Sequence, residues 1–410
     1  MSSHKIAVMG YGVVGSGVVE CFYQSLPSMK QKISHDIDIK YILDIVKHEG
    51  TPFDEKFISD FNIIVNDPEV TVVAEVIGGI NPAFDFTKRC LEAGKSVVTS
   101  NKELVATKGA ELLKIANENG VKYLFEASVG GGIPIIRPLR YCLIGNNIEK
   151  IAGIVNGTTN FILTKMFEEN MSFDVALKLA QDLGYAERNP SADVDGFDAQ
   201  RKICILSSLV SRKHIYPDDV HVEGITSILP EDVSAAASLE CTIKLIAYSK
   251  KLKNGKLQVI VAPMLVDKSS RLNNIKDVFN GVVVKGDSVD EVAFYGRGAG
   301  KLPTASAVVS DILECVRLWD VKEPVLWEEG SRDEVIDYKK GSFCFYLRVK
   351  STDSAMKNLT SLFGDAILVK KTENEILFIT KSIIEEDFEN SICKLKECGE
   401  EIYSTFRVLG

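Results

Sequence analysis

Paired cysteines, clustered histidines and long apolar runs are all missing from this chain. The nine cysteines are scattered and include no CxxC pair. An odd set of that kind, behind an N-terminus (MSSHKIAVMG) without a long apolar signal region, points to reduced thiols in a cytoplasmic protein. The five histidines never fall at HxH or HxxxH spacing, which speaks against a transition-metal site. No apolar run approaches the ~20 residues needed to cross a bilayer, so no membrane partner is expected. Basic residues are in the minority, 48 Lys and Arg against 57 Asp and Glu, and the formal net charge of −9 argues against a nucleic-acid surface. What remains has the balance of a soluble globular protein, 45% hydrophobic and 26% charged. At 410 residues it is too long for one typical core, so about two to three domains are expected. Cys204, Cys241 and Cys315 sit in helical apolar patterns and read as small core residues.

The first 130 or so residues read as a nucleotide-binding sheet. Lys5 to Met9 is a short apolar strand, followed at once by Gly10-Tyr11-Gly12-Val13-Val14-Gly15 and a helical pattern. In this fingerprint Gly10 makes the tight turn and Gly12 lets a pyrophosphate approach the backbone. Gly15 lets helix and strand pack closely, with Val13 and Val14 at the helix start where the pyrophosphate would sit. A second strand, Ile37 to Leu43, ends at Asp44, whose carboxylate would favour the 2′-hydroxyl of NAD. Lys47 and His48 follow closely and could serve the 2′-phosphate of NADP, so both cofactors stay open. Val70 to Ile77, Ser96 to Thr99 and Val121 to Phe125 supply further strands, with helices from Asn81 to Ala93 and from Ser100-Asn101-Lys102 onward. This alternation predicts a parallel sheet with ligands at the carboxyl ends of its strands, which is where Thr99 and Lys102 lie.

A second block, GYAERNPSADVDGFDAQRKICIL from Gly184 to Leu206, carries Glu187, Asp193, Asp195 and Asp198 before turning helical. Asp198 and Lys202 are four apart and share a helix face. The apolar run after Lys202 predicts a partly desolvated ammonium one turn from a carboxylate, a pair suited to proton transfer. A glycine-rich loop, Glu126 to Pro134, follows the last strand of the first region; its carbonyls could hold a hard cation. Asn156 to Asn160 reads as a polar turn after the strand Ile151 to Val155, with a helix beginning at Phe161.

With these motifs in order, the chain from about Lys5 to about Glu314 resembles the homoserine dehydrogenases. The segments that carry the likeness are GYGVVG, TSNKELVA, EASVGGGIPII, GIVNGTTNFIL, GYAERNPSADVDGFDAQRK and GRGAGKLPTASAVVSDI. The resemblance implies reversible reduction of L-aspartate 4-semialdehyde to L-homoserine with NADH or NADPH, in threonine, methionine and isoleucine biosynthesis. It implies Lys202 as proton donor, with Asp198 and Lys102 in the catalytic group. Glu187, Asp193, Gly157 and Thr158 would contact substrate. Gly10, Gly12, Val13, Val14, Gly15, Asp44, Thr99, Lys102 and Gly300 would serve the cofactor. Main-chain oxygens of Glu126, Val129, Gly131 and Ile133 would hold Na⁺. A homodimer or homotetramer is implied, without an aspartate-kinase segment. Another Rossmann oxidoreductase of an amino-acid aldehyde, or a non-catalytic nucleotide-dependent sensor, stand as alternatives; the Glu187–Lys202 block argues against the first and the complete set of Lys102, Asp198 and Lys202 against the second.

The fold class expected is therefore α/β. A Rossmann-type domain spans 1–146, completed by about 296–320, and an α+β substrate and dimerisation domain spans 147–295. Within the latter, Glu231 to Lys251 reads as a helical run, Leu257 to Ala262 as a strand ending at Pro263, and Gly281 to Lys285 as another. A polar connector at 321–341 leads to a ferredoxin-like module at 342–410, in the order strand, helix, two strands, helix, strand. Many homoserine dehydrogenases carry such a tail as an amino-acid-sensing ACT domain. Here the family's Pro-Gly turn is replaced by Ser354-Ala355-Met356, which predicts weak or absent response to threonine. Removing the tail near Lys340 is then expected to leave an active, smaller oligomer.

Overall fold

The computed structural model describes residues 3–33, 35–46, 48–322 and 324–410. In chain order the first part runs β1 (Ser3–Met9), α1 (Val13–Lys32), β2 (Asp36–Leu43), β3 (Phe57–Ile58), α2 (Phe61–Asn66), β4 (Val70–Glu75), α3 (Ala83–Glu92), β5 (Ser96–Thr99), α4 (Lys102–Glu118) and β6 (Tyr123–Leu124). The middle follows with β7 (Ile148–Ile154), α5 (Gly157–Glu169), α6 (Phe173–Asp182), α7 (Ser191–Val194), α8 (Phe197–Ser211), β8 (His221–Val222), α9 (Pro230–Ala237), β9 (Cys241–Lys251), β10 (Leu257–Asp267), β11 (Phe279–Gly286), β12 (Asp290–Arg297) and α10 (Lys301–Arg317). The tail holds β13 (Ser342–Lys350), α11 (Ala355–Phe363), β14 (Leu368–Lys371), β15 (Glu375–Ile379), β16 (Ile383–Ile384), α12 (Glu385–Glu397) and β17 (Ile402–Val408). The chain divides into two units, Met1–Asn147 with Cys204–Pro217 and Phe294–Arg332, and Ile148–Ile203 with Asp218–Ala293 and Asp333–Gly410.

The first unit is built on a six-stranded parallel sheet in the order β3-β2-β1-β4-β5-β6, the Rossmann order. Ile6, Ala7, Val8 and Met9 are all fully buried, because helices cover both faces and the strand reads as a continuous apolar run. α10 packs across α1, where its Lys301 and Ala305 come against Gly17. Three differences from the sequence reading stand out. β6 is only two residues long, and β3 with α2 fills the stretch between β2 and β4. Trp327, in the stretch read as a polar connector, is buried, and its Nε1 donates to His214 Nδ1 at 2.9 Å.

The second unit is one mixed sheet of eleven strands. Its main path is β12-β11-β7-β9-β10-β17-β13-β15-β14, with β16 on β13 and β8 on β10. The helical run expected from Glu231 to Lys251 is instead α9 followed by β9, so Cys241 opens a strand rather than sitting in a helix. Glu240 adopts a left-handed φ of 58° and turns the chain between them. The strand is buried on both faces, so its apolar run has no period that would tell it from a buried helix. β10 does not stop at Pro263 but continues to Asp267. Along one side it pairs with β9; along the other, β8 meets Ile260 and Val261 while β17 meets Met264 and Leu265. Pro263 falls between those two partners, where a missing N–H costs no ladder bond. The polar turn read at Asn156–Asn160 is the N-cap and first turn of α5. Asn156 Oδ1 accepts from Thr159 N at 2.8 Å, as a capping side chain does.

The tail strands run β17-β13-β15-β14 with every neighbour antiparallel, the ferredoxin-like order. β17 also pairs in parallel with β10, so the tail continues the sheet of the middle segment. Arg407 on β17 is buried and donates to both oxygens of Glu223 at 2.8 and 2.9 Å and to Glu385. Cutting the chain near Lys340 would strip a strand from β10 and leave Glu223 without this cation. Loss of stability is the outcome now expected from truncation, in place of an intact smaller oligomer.

Candidate active site

In the second unit, four side chains converge at the carboxyl end of β7. Lys202, on the second turn of α8, donates to Asp198 Oδ2 at 2.7 Å and to the carbonyl of Val155 at 2.6 Å. Asp198 also accepts from Asn156 Nδ2 at 2.9 Å, and the same nitrogen donates to Asp193 Oδ1 at 2.7 Å. Both protons of one carboxamide thus hold two carboxylates. Asp198, Lys202 and Asn156 are 3%, 7% and 5% exposed, so the ammonium is desolvated but satisfied by hydrogen bonds. The helix spacing accounts for the Asp198–Lys202 pair, and the apolar run Ile203 to Leu206 behind it is buried as expected. Thr158 Oγ1 donates to Tyr185 O at 2.6 Å, tying the Gly157-Thr158 turn to the segment that carries Glu187. Glu187 is exposed on that loop. Asn156 was missed as a functional residue. Its signal was an Asn three residues before Thr159, a cap pattern that reads as a turn.

In the first unit the fingerprint glycines sit where their chemistry requires. A Cβ on Gly15 would stand 1.9 Å from the carbonyl oxygen of Gly10, so only glycine lets α1 start this close to β1. Gly12 is the N-cap residue of α1, with open space where its Cβ would be, and Val13 and Val14 open the helix. Asp44 follows β2. Its Oδ2 accepts from Tyr11 N at 2.7 Å and its Oδ1 from Val46 N at 2.8 Å. Burial works against ionisation of this carboxyl, but those two amides and nearby His48 outweigh it and hold the pKa below the ordinary value. Lys47 lies outside the described residues. Thr99 is buried and its hydroxyl donates to Glu75 at 2.7 Å. Asn101 N donates to Thr99 Oγ1 at 2.9 Å, and Asn101 Oδ1 caps α4 through Leu104 N. Lys102 is the first residue of that helix. Burial raises the Glu75 pKa despite its hydrogen bonds. This carboxylate, which ties the ends of β4 and β5 together, was not picked out from sequence. Gly300 is the N-cap residue of α10.

The loop Glu126 to Ile133 is fixed from beneath. The Glu126 carboxylate accepts from the amides of Ile135, Ile136 and Arg137 at 2.7, 3.0 and 2.6 Å. Its own amide donates to Asp311 Oδ2 at 2.8 Å, and Arg137 pairs with Asp311 and Glu314. Gly131 has φ +52°, and a Cβ there would meet Gly298 O at 2.6 Å, so the backbone approach excludes any side chain. Of the loop carbonyls, that of Gly130 accepts from Ile133 N at 2.8 Å, while Glu126 O lies at a longer 3.5 Å from Val129 N. Among the described residues, no three His, Cys, Asp or Glu side chains group as a metal site, and no helix is long and apolar enough to cross a membrane.

Comparison with known proteins gives a consistent picture. Residues 10–126 match the family model "Homoserine dehydrogenase, NAD binding domain", and residues 134–313 match "Homoserine dehydrogenase". Homoserine dehydrogenases of Synechocystis and Bacillus subtilis are 37% and 36% identical to the chain, over 99% and 100% of it and 99% of each relative. A crystal structure of a homoserine dehydrogenase from Thiobacillus denitrificans superposes with a TM-score of 0.93 at 31% identity, covering 100% of this chain and 99% of that one. A hyperthermophilic archaeal homoserine dehydrogenase in complex with NADPH covers 79% of this chain and 99% of its own, with a TM-score of 0.66 at 28% identity.

Proposed function

The chain belongs to the homoserine dehydrogenase family, the NAD(P)-dependent oxidoreductases that interconvert L-aspartate 4-semialdehyde and L-homoserine, and from that premise we propose how its residues divide the work. Lys202 gives a proton to the substrate oxygen as hydride arrives, and takes it back in the oxidative direction. The observation that carries this is the buried Lys202–Asp198 pair. Asp198 and the Val155 carbonyl aim the ammonium, and Asn156 holds Asp198 in place. Lys102 belongs to the catalytic group on the family likeness. Glu187 and Asp193 bind the substrate ammonium, and Gly157 and Thr158 line the substrate. Gly10, Gly12, Val13, Val14 and Gly15 take the pyrophosphate, Asp44 the adenosine ribose, and Thr99 and Gly300 the rest of the cofactor. NAD(P) supplies or accepts the hydride. The main-chain oxygens of Glu126, Val129, Gly131 and Ile133 suit Na⁺, being neutral hard donors on a loop pinned by Glu126 and Asp311. The enzyme works in the cytoplasm as a homodimer or homotetramer.

Glu187→Gln tests the substrate contact. Removing a charge that pairs with the ammonium should raise KM for homoserine about ten- to a hundredfold while Tm holds, since the side chain is exposed. An unchanged KM for both amino-acid substrates removes Glu187 from the site.

The tail is an ACT-like module that does not respond to threonine. Its β13–α11 turn is occupied from within. The buried Glu400 carboxylate accepts from Thr352 Oγ1, Ser354 Oγ and Asn358 Nδ2 at 2.8, 2.6 and 2.7 Å. Ser354 precedes α11 but does not cap it with its side chain; Thr352 Oγ1 accepts from Ala355 N instead. Initial rates of the full chain should be unchanged by millimolar threonine. Strong inhibition, abolished by substitutions in this turn, would overturn the reading.

A further inference from the structure

Asn280 on β11 is fully buried, yet neither its Oδ1 nor its Nδ2 has a hydrogen-bond partner among the described residues. An orphaned buried carboxamide works against folding, and such exceptions concentrate at functional sites. Its direction follows from the register. Val282 pairs with Gly153, Gly153 with Ala247, and Ala247 with Val261, so these four share one sheet face. A Cβ on Gly153 would lie 3.1 Å from a methyl of Val155 and 3.3 Å from one of Val282, which puts both side chains on that face. A Cβ on Gly196 would lie 3.4 Å from Val261 Cγ1, so the corner leading into α8 covers the same face. Asn280 stands two residues before Val282 and shares it, while Phe279 packs into the hydrophobic cluster of the opposite face with Ala152 and Ile154. Gly281 pairs with Ile154, so one step along the ladder brings Asn280 opposite Val155, whose carbonyl holds Lys202. This end of β11 is itself fixed, because Asn160 Nδ2 donates to Phe279 O at 3.1 Å.

We propose that the Asn280 carboxamide is a further substrate-binding group beside Lys202. Its Nδ2 donates to the oxygen that gains charge on hydride transfer, and its Oδ1 accepts from the ammonium. An α-amino acid with a side-chain oxygen carries both complements. The inference rests on the assignment of Lys202 as proton donor.

The test is Asn280→Leu in the full-length enzyme, with Lys202→Ala measured alongside. Steady-state rates in both directions, NAD(P)H affinity by fluorescence, and Tm are compared. Asn280→Leu should lower kcat/KM for homoserine and for the semialdehyde about ten- to a hundredfold. NAD(P)H affinity should stay within about twofold, and Tm should be unchanged or higher, because no partner among the described residues is left unpaired. A kcat/KM within about threefold of wild type overturns the proposal. So does a fall in Tm, or failure to fold, which would make the amide structural. If Lys202→Ala is inactive and Asn280→Leu is not, this inference alone fails. If Lys202→Ala retains turnover, the assignment beneath it fails as well.

Discussion

Lys202→Ala is expected to lower kcat about 10²–10⁴-fold while NAD(P)H still binds. The ammonium is the buried cation of its cluster, 2.7 Å from Asp198, and alanine leaves nothing that can deliver a proton from that position. The cofactor fingerprint belongs to β1 and α1, so its affinity for the nucleotide is expected to survive. Lys202→Arg should fail nearly as badly, since a guanidinium does not readily release a proton near neutral pH. Removing the cation also leaves Asp198 buried, though still held by Asn156, and some loss of Tm should accompany the loss of rate. Stopped-flow binding of NADPH together with steady-state turnover separates these effects. A variant that keeps more than about a tenth of wild-type kcat would show that the proton comes from elsewhere.

Much of the architecture was legible because the sequence states it locally. The parallel sheet shows as short apolar strands separated by helices, and GYGVVG shows as glycines placed where backbone meets backbone. In the tail, the order strand, helix, two strands, helix, strand matches the sequence reading, with only the two-residue β16 added, because turn residues bracket clear patterns. Legibility ended where burial was two-sided, as in β9. It ended too where a partner lies far along the chain. Nothing local tells that β17 will lie beside β10, that Trp327 will be buried against His214, or that Glu400 will fill the turn at Ser354. The proposed site divides the same way. Asp198 and Lys202 declare themselves by helical spacing. Asn156 and Asn280 are ordinary amides until the fold sets one between two carboxylates and buries the other without a partner among the described residues.

Asn156→Asp is expected to cost nearly as much activity as loss of Lys202, although it changes only one amide group. The side chain has two tasks. Its Oδ1 caps α5 through Thr159 N, and its Nδ2 holds Asp193 and Asp198. Aspartate caps a helix as well as asparagine does, so the first task survives. The second is reversed, because an acceptor now faces two carboxylates at distances of 2.7 and 2.9 Å. Two like charges 4 Å apart repel by about 4 kcal/mol at an effective dielectric of about 20, more than the ~1 kcal/mol a cap supplies. The introduced carboxyl will therefore hold a proton in the folded state, with its pKa raised above the unfolded value. The sign of the pH effect follows: the folded protein binds more protons, so stability relative to wild type is best at low pH and is lost as pH rises through the raised pKa. Activity should fall about 10²-fold or more near pH 8, as Asp198 is pushed from its place on Lys202, and recover in part as pH falls toward 6. Asn156→Ala supplies the contrast, since it loses the cap and both bonds but adds no charge, so its deficit should be flat across the same range. Thermal melts and kcat profiles of both variants between pH 6 and 9 make the comparison. Matching, pH-independent losses would mean that Asn156 only caps the helix.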